Sequence, residues 1–108
     1  MMAYPCTMFP GGFSGEIGFE IEADGGKHKG LASRRYFWKQ DGSPLGKGPL
    51  TGPIPGFVAV RILGEGKGDS ILVSIPDGEV VNVKSAEILP LAEAAQNVPI
   101  GSRFALGH

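Results

Sequence analysis

GEIGFEIEADGGKHKGLA, residues 15–32, allows few arrangements. Ile17, Phe19 and Ile21 alternate with Glu16, Glu20 and Glu22, the period of a strand with one face in a core. Asp24-Gly25 then supplies residue types suited to the positive φ angles of a tight hairpin turn. With those two at the turn, Glu22 faces Lys27, Glu20 faces Lys29, Phe19 faces Gly30 and Ile17 faces Ala32. Opposite charges meet on one face and apolar or small groups on the other. A one-residue slip would destroy both matches, so the register is specified.

A second hairpin is written in ILVSIPDGEVVNV, residues 71–83. A type I turn cornered by Pro76-Asp77, with Gly78 in the left-handed position, sets Ile75 opposite Glu79. Val73 then faces Val81 and Ile71 faces Val83, which completes an apolar face. A two-residue Asp-Gly turn would set Val73 against Asn82 and break it. Asp77 and Glu79 are two apart, as paired acids of a site can be. A solvated turn tip does not supply the burial that acid–base work needs, and turns select Asp, so Asp77 reads as a turn former.

Glycine and proline make up a quarter of the 108 residues, 18 and 9 respectively, and they separate short apolar runs. That pattern predicts an all-β domain. Tyr36-Phe37-Trp38 reads as a strand ended by Asp41-Gly42. GSPLGKGPLTGPIPG, residues 42–56, reads as a long exposed loop between two halves of one barrel. Residues 57–63, 70–75 and 80–83 read as strands, 64–69 as a hairpin tip, and Ser85-Ala86-Glu87 as a 3₁₀ turn. Pro90 and the spacing of Leu91, Ala94 and Ala95 predict a short helix near 91–96. The expected organisation is a flexible N-terminal arm at 1–14, one barrel at 15–91, and a short helix and tail at 92–108.

Several chemistries are not suggested. His28, His108 and Cys6 lack the spacing of metal ligands, and the pattern implies no metal and no cofactor. Gly64-Glu65-Gly66-Lys67-Gly68 lacks the spacing of a phosphate-binding loop, and no helix pattern follows it. Gly12-Phe13-Ser14-Gly15-Glu16 misses the nucleophile elbow because position 16 is Glu. A formal net charge of -1 supplies no global attraction to nucleic acid or membrane. No run approaches the length of a membrane helix, and MMAYPCTMFPGG has no signal-peptide pattern. One cysteine fits a reducing compartment. Together these lead to the expectation of a cytoplasmic protein that does not contact membrane.

The remaining candidate is a basic and aromatic segment. Lys27, Lys29, Arg34, Arg35 and Lys39 are five of the ten basic residues, and no acid interrupts residues 27–39. Cations interleaved with aromatics can contact phosphates and stack bases. The hairpin register partly neutralises Lys27 and Lys29. In a strand Phe37 faces away from Tyr36 and Trp38, so one of those sets is exposed. Arg34, Arg35, Tyr36, Trp38 and Lys39 are therefore the candidate ligand-binding residues.

Residues 57–91 resemble a small SH3-like barrel with features of Tudor and KOW domains. The resemblance rests on strand, hairpin, strand, tight turn, strand, 3₁₀ turn and short strand. Asp77-Gly78-Glu79-Val80-Val81 followed by Ile88-Leu89-Pro90-Leu91 is similar to the end of a Tudor domain. Gly78 stands where a Tudor cage would carry an aromatic, so a barrel is implied and methyl-lysine recognition is not. The plasmid-type, trimethoprim-insensitive dihydrofolate reductases use a similar barrel. Of their Val-Gln-Ile-Tyr motif, Val80-Val81-Asn82-Val83 shares only Val80.

The resemblance implies an SH3-like small β-barrel of five to seven short antiparallel strands, with the short C-terminal helix appended. The expected function is a non-catalytic binding module for a protein or peptide partner. A nucleic-acid-binding module using residues 27–39 is the first alternative. An enzyme or subunit whose site forms on oligomerisation is the second, since unpaired barrel edges can support a homo-oligomer.

Overall fold

The computed structural model describes residues 2–11, 15–46 and 48–90. Within them the chain is all-β, a curled antiparallel half-barrel. The strands are β1 (Met2–Pro10), β2 (Glu16–Ala23), β3 (Gly26–Ser33), β4 (Phe37–Lys39), β5 (Ile54–Glu65), β6 (Ser70–Ser74), β7 (Val80–Lys84) and β8 (Leu89–Pro90). Their order is β3-β2-β1-β5-β6-β7, with β4 on β5 and β8 on β1.

Both hairpins have the expected registers. Glu22 pairs with Lys27, Glu20 with Lys29, Phe19 with Gly30 and Ile17 with Ala32. Asp24 and Gly25 take φ of 53° and 76°, as a mirror-image turn requires. In the second hairpin Val73 pairs with Val81 and Ile71 with Val83. The Gly78 N–H donates to Ile75 O at 3.0 Å, and Gly78 has φ 94°. The 3₁₀ turn at Ser85–Glu87 is also present.

The N-terminal segment departs from expectation. Residues 2–10, expected within a flexible arm, form a strand between β2 and β5. Tyr4, Cys6 and Met8 enter the main core, while Ala3 packs with Phe57 on the opposite face. A strand apolar on both faces shows no alternation, and Pro5 and Pro10 argue against a strand on composition. The prolines are accommodated because each has a partner on one side only: Pro10 ends the strand opposite Ile17 of β2, beyond the pairing with β5, and at Pro5 the ladder is broken on the other side. β2 pairs only with Thr7–Pro10 and β8 only with Met2–Ala3, so Tyr4, Pro5 and Cys6 pair with β5 alone.

The 42–56 segment is not wholly an exposed loop. Ile54, Pro55 and Gly56 begin β5 and pair with Met8, Thr7 and Cys6. Leu45 is buried, and Pro44 bridges to Trp38. β5 therefore runs twelve residues. Its first half pairs with β1 and β4 and its last part with β6, and the register shifts between Ile62 and Gly64. An extra residue there bends the strand and helps curl the sheet. The helix expected near 91–96 lies outside the described residues.

The core holds Tyr4, Met8, Ile17, Phe19, Ile21, Phe37, Val58, Val60, Val73, Val81 and Val83. The two ends of the sheet approach at β2 and β7. The Asp24 N–H donates to Asn82 O at 2.8 Å, and Asp24 Oδ1 accepts from Asn82 N and Nδ2 at 3.0 and 3.1 Å. Side-chain and turn contacts thus bring the ends together where no ladder does.

Candidate functional site

The basic and aromatic segment is split by local geometry. Arg34–Tyr36 is a 3₁₀ turn, and β4 starts only at Phe37. The turn breaks the alternation that would place Tyr36 beside Trp38. Phe37 enters the core with its ring 5.5 Å from Phe19. Tyr36 packs against that same core, half-buried. Trp38, opposite Phe57 in the register, joins Ala3, Phe57 and Leu89 on the outward side of the sheet. The two aromatics among the five candidate residues therefore serve two different clusters.

Their charges are also differently engaged. Arg34 Nε donates to Gly46 O at 2.8 Å, and its Nη2 donates to Gly48 O. This guanidinium braces the 42–56 segment against the first hairpin. Arg35 stays exposed, donates to the Tyr36 hydroxyl at 3.0 Å and lies 5.0 Å from the Tyr36 ring centroid. Lys39 is exposed at the start of a tight turn. Its N–H donates to Ser43 O and its carbonyl accepts from Gly42 N, both at 2.8 Å. The Ser43 hydroxyl and N–H both donate to Asp41 Oδ1, and these bonds hold the Asp41 carboxyl below its usual range.

Lys27 and Lys29 share one carboxylate. They lie 3.2 and 3.7 Å from Glu20, while Glu22 is 4.0 Å from Lys84. The register pairs Lys27 with Glu22, yet the close contact is the diagonal one to Glu20.

One constellation was not anticipated. His28 Nε2 lies 2.7 Å from Asp77 Oδ2, joining residues 49 apart in sequence. Both side chains are largely buried, at 23% and 11% exposure. His28 shares the core-facing side of β3 with Ala32, and its ring centroid is 6.3 Å from that of Phe19. Asp77 is still the turn former that sequence suggests, since its Oδ1 accepts from Glu79 N at 2.9 Å. Its second oxygen reaches His28. A Cβ on Gly30 would collide with the Asp77 carboxylate, so the absence of a side chain there admits the acid. A glycine inside a strand, opposite Phe19, was the available signal, because such glycines mark close approaches.

One groove lies where β1 and β2 part, and another lies between the tip of the first hairpin and β6–β7. A groove of about 280 Å³ lies among Tyr4, Cys6, Glu20, Glu22, Lys84 and Glu87. The Tyr4 hydroxyl donates to Glu22 O there at 3.2 Å. A larger open groove of about 710 Å³ is lined by Lys27, Lys67 and Lys84 and by Glu22, Asp24 and Asp69. Equal numbers of opposite charges give it no net sign. The Cys6 thiol is buried and its pKa is pushed up to about 12, so it is not a nucleophile at neutral pH. Among the described residues, no group of three or more His, Cys, Asp or Glu could hold a metal ion, and no helix is long and apolar enough to cross a membrane.

No family model, curated protein or solved structure matches this chain.

Proposed function

We propose that this chain is a non-catalytic binding module, an SH3-like small barrel, that recognises a protein or peptide partner. The observation that carries the reading is the outward cluster at Trp38. The indole is only half-buried, on the sheet face away from the main core, against Ala3, Phe57 and Leu89. Aromatic surface of this kind beside a cationic rim is typical of the centres of protein interfaces. Arg35 and Lys39, the exposed cations of the same short segment, supply that rim, while Tyr36 packs against the main core. Arg34 supports it from behind by holding the 42–56 segment.

The charge arrangement favours a peptide over nucleic acid. Lys27 and Lys29 are both within ion-pair distance of Glu20, and Arg34 is turned to loop carbonyls. Few cations are left to follow a phosphate backbone.

An amide NMR titration tests the proposal, using pooled peptides and, separately, short single-stranded RNA and DNA at two salt concentrations. Peptides are expected to shift the signals of Arg35, Tyr36, Trp38 and Lys39, and Trp38→Ala is expected to abolish those shifts in a folded protein. Shifts produced only by RNA or DNA, and lost steeply with salt, would transfer the site to nucleic acid. Silence with every probe would end the binding-module reading.

A further inference from the structure

We propose that the outer edge of β3 is a strand-addition site for an extended acidic peptide. This rests on the binding-module reading and adds the mode of recognition. The hairpin turn is the two residues Asp24 and Gly25, so the flanking pair Ala23 and Gly26 exchanges both backbone hydrogen bonds. Bonding then alternates along β3. Gly26, His28, Gly30 and Ala32 turn their N–H and C=O toward β2. Arg34 N donates to Gly15 O at 2.7 Å, in phase with that alternation. Lys27, Lys29 and Leu31 must therefore turn their N–H and C=O outward.

Among the described residues β3 pairs with β2 alone, over eight residues. Two other edges are each covered at one position among the described residues. Pro44 bridges to Trp38 on β4, and Asp24 takes the N–H and the C=O of Asn82 on β7. A row of unpaired backbone groups is the template that strand-adding partners use.

The side chains along the edge select the occupant. Lys27 and Lys29 are 66% and 77% exposed, and they share the single Glu20 carboxylate. Lys27, Lys29 and the neighbouring Lys84 face two carboxylates, Glu20 and Glu22, which leaves one positive charge in excess. Leu31, next on the same face, is 52% exposed. A partner strand would be complementary with acidic residues beside Lys27 and Lys29 and an apolar one beside Leu31. The edge runs directly into the Arg34–Tyr36 turn, so the same peptide would continue onto Arg35 and Tyr36.

The test is amide hydrogen exchange and NMR on the full chain. The probe is an end-blocked peptide of the length of β3, alternating glutamate with valine. Controls are its lysine–valine counterpart and a version N-methylated at alternate amides. The acidic peptide should slow exchange at Lys27, Lys29 and Leu31 by about tenfold or more. The two controls should not. Joint Lys27→Glu and Lys29→Glu substitution should weaken binding about tenfold. Leu31→Pro should block it in a folded protein, because the Leu31 N–H makes no bond within the sheet.

If the N-methylated peptide binds equally well, or the three amides stay unprotected, strand addition is overturned. Shifts confined to Arg35–Lys39 would leave the peptide reading standing and remove only the edge. Protection of β3 that survives Trp38→Ala would keep the edge and move the partner away from the indole. No response anywhere would remove both.

Discussion

His28 Nε2 and Asp77 Oδ2 lie 2.7 Å apart, and this contact fastens the edge strand β3 to the turn between β6 and β7. Together with Asp24 and Asn82 it brings the two ends of the curled sheet together by side chains. Removing one partner leaves the other largely buried without its bond. His28→Ala is expected to lower unfolding free energy by about 1–2 kcal/mol. Asp77→Ala should cost more, because the Glu79 N–H also loses its acceptor. The double variant should cost less than the two penalties summed, as coupled partners do. Urea unfolding of the four proteins measures this, and strict additivity would mean that the pair makes no energetic contact. Gly30→Ala should be destabilising in the natural sequence and less so beside Asp77→Ala, since the added methyl meets that carboxylate.

Gly78 isolates a backbone effect. Its φ is 94°, and beyond its own chain neighbours nothing lies within 4 Å of where a Cβ would stand. Gly78→Val should therefore cost about 1–2 kcal/mol through conformation alone. Gly78→Asn should cost less, because Asn tolerates positive φ. Equal stability of Gly78→Val and the parent protein would contradict the three-residue turn.

The difference between these two sites explains what sequence could disclose. Hairpin registers are local, and both were legible because charge, apolar pattern and turn residues agreed. β1 was not legible, because apolar residues on both faces and two prolines remove the period that marks a strand. The His28–Asp77 contact joins residues 49 apart, and only the curl of the sheet creates it. The candidate patch was half legible. Alternation separated Phe37 from Trp38, but the 3₁₀ turn at Arg34–Tyr36 moved Tyr36 to the main core. Arg34 could not be assigned from spacing, since its acceptors are carbonyls in a segment that reads as open loop.

Arg34 therefore has a structural consequence that is separable from binding. Its guanidinium holds Gly46 O and Gly48 O. Arg34→Ala should expose the 42–56 segment to cleavage and speed limited proteolysis there severalfold, while global stability falls by about 1 kcal/mol. Arg34→Lys should not restore the resistance, because a single ammonium lacks the fork that reaches both carbonyls. Mapping the first cleavage sites by mass spectrometry decides the point. Unchanged sites and rates would show that the bracing is not what orders the segment.

Alkaline pH should loosen the core from β1. Burial pushes the Cys6 thiol up from 9.0 to about 12, and burial first, with Glu87 and Glu22 adding, raises the Tyr4 phenol above 10.0. In both cases the folded state holds its proton at a pH where the unfolded chain has released it. Unfolding free energy then falls with rising pH, because the native state binds more protons than the unfolded one. The contribution of Cys6 is fully present below pH 9.0 and is lost as pH climbs toward about 12. Denaturant midpoints across that range should decline, and Cys6→Ala should flatten the decline while lowering stability at neutral pH through the cavity it leaves. In the native protein at pH 8 the thiol should resist alkylation and should react only after unfolding. Rapid alkylation of the folded protein would contradict the buried position of Cys6 on β1.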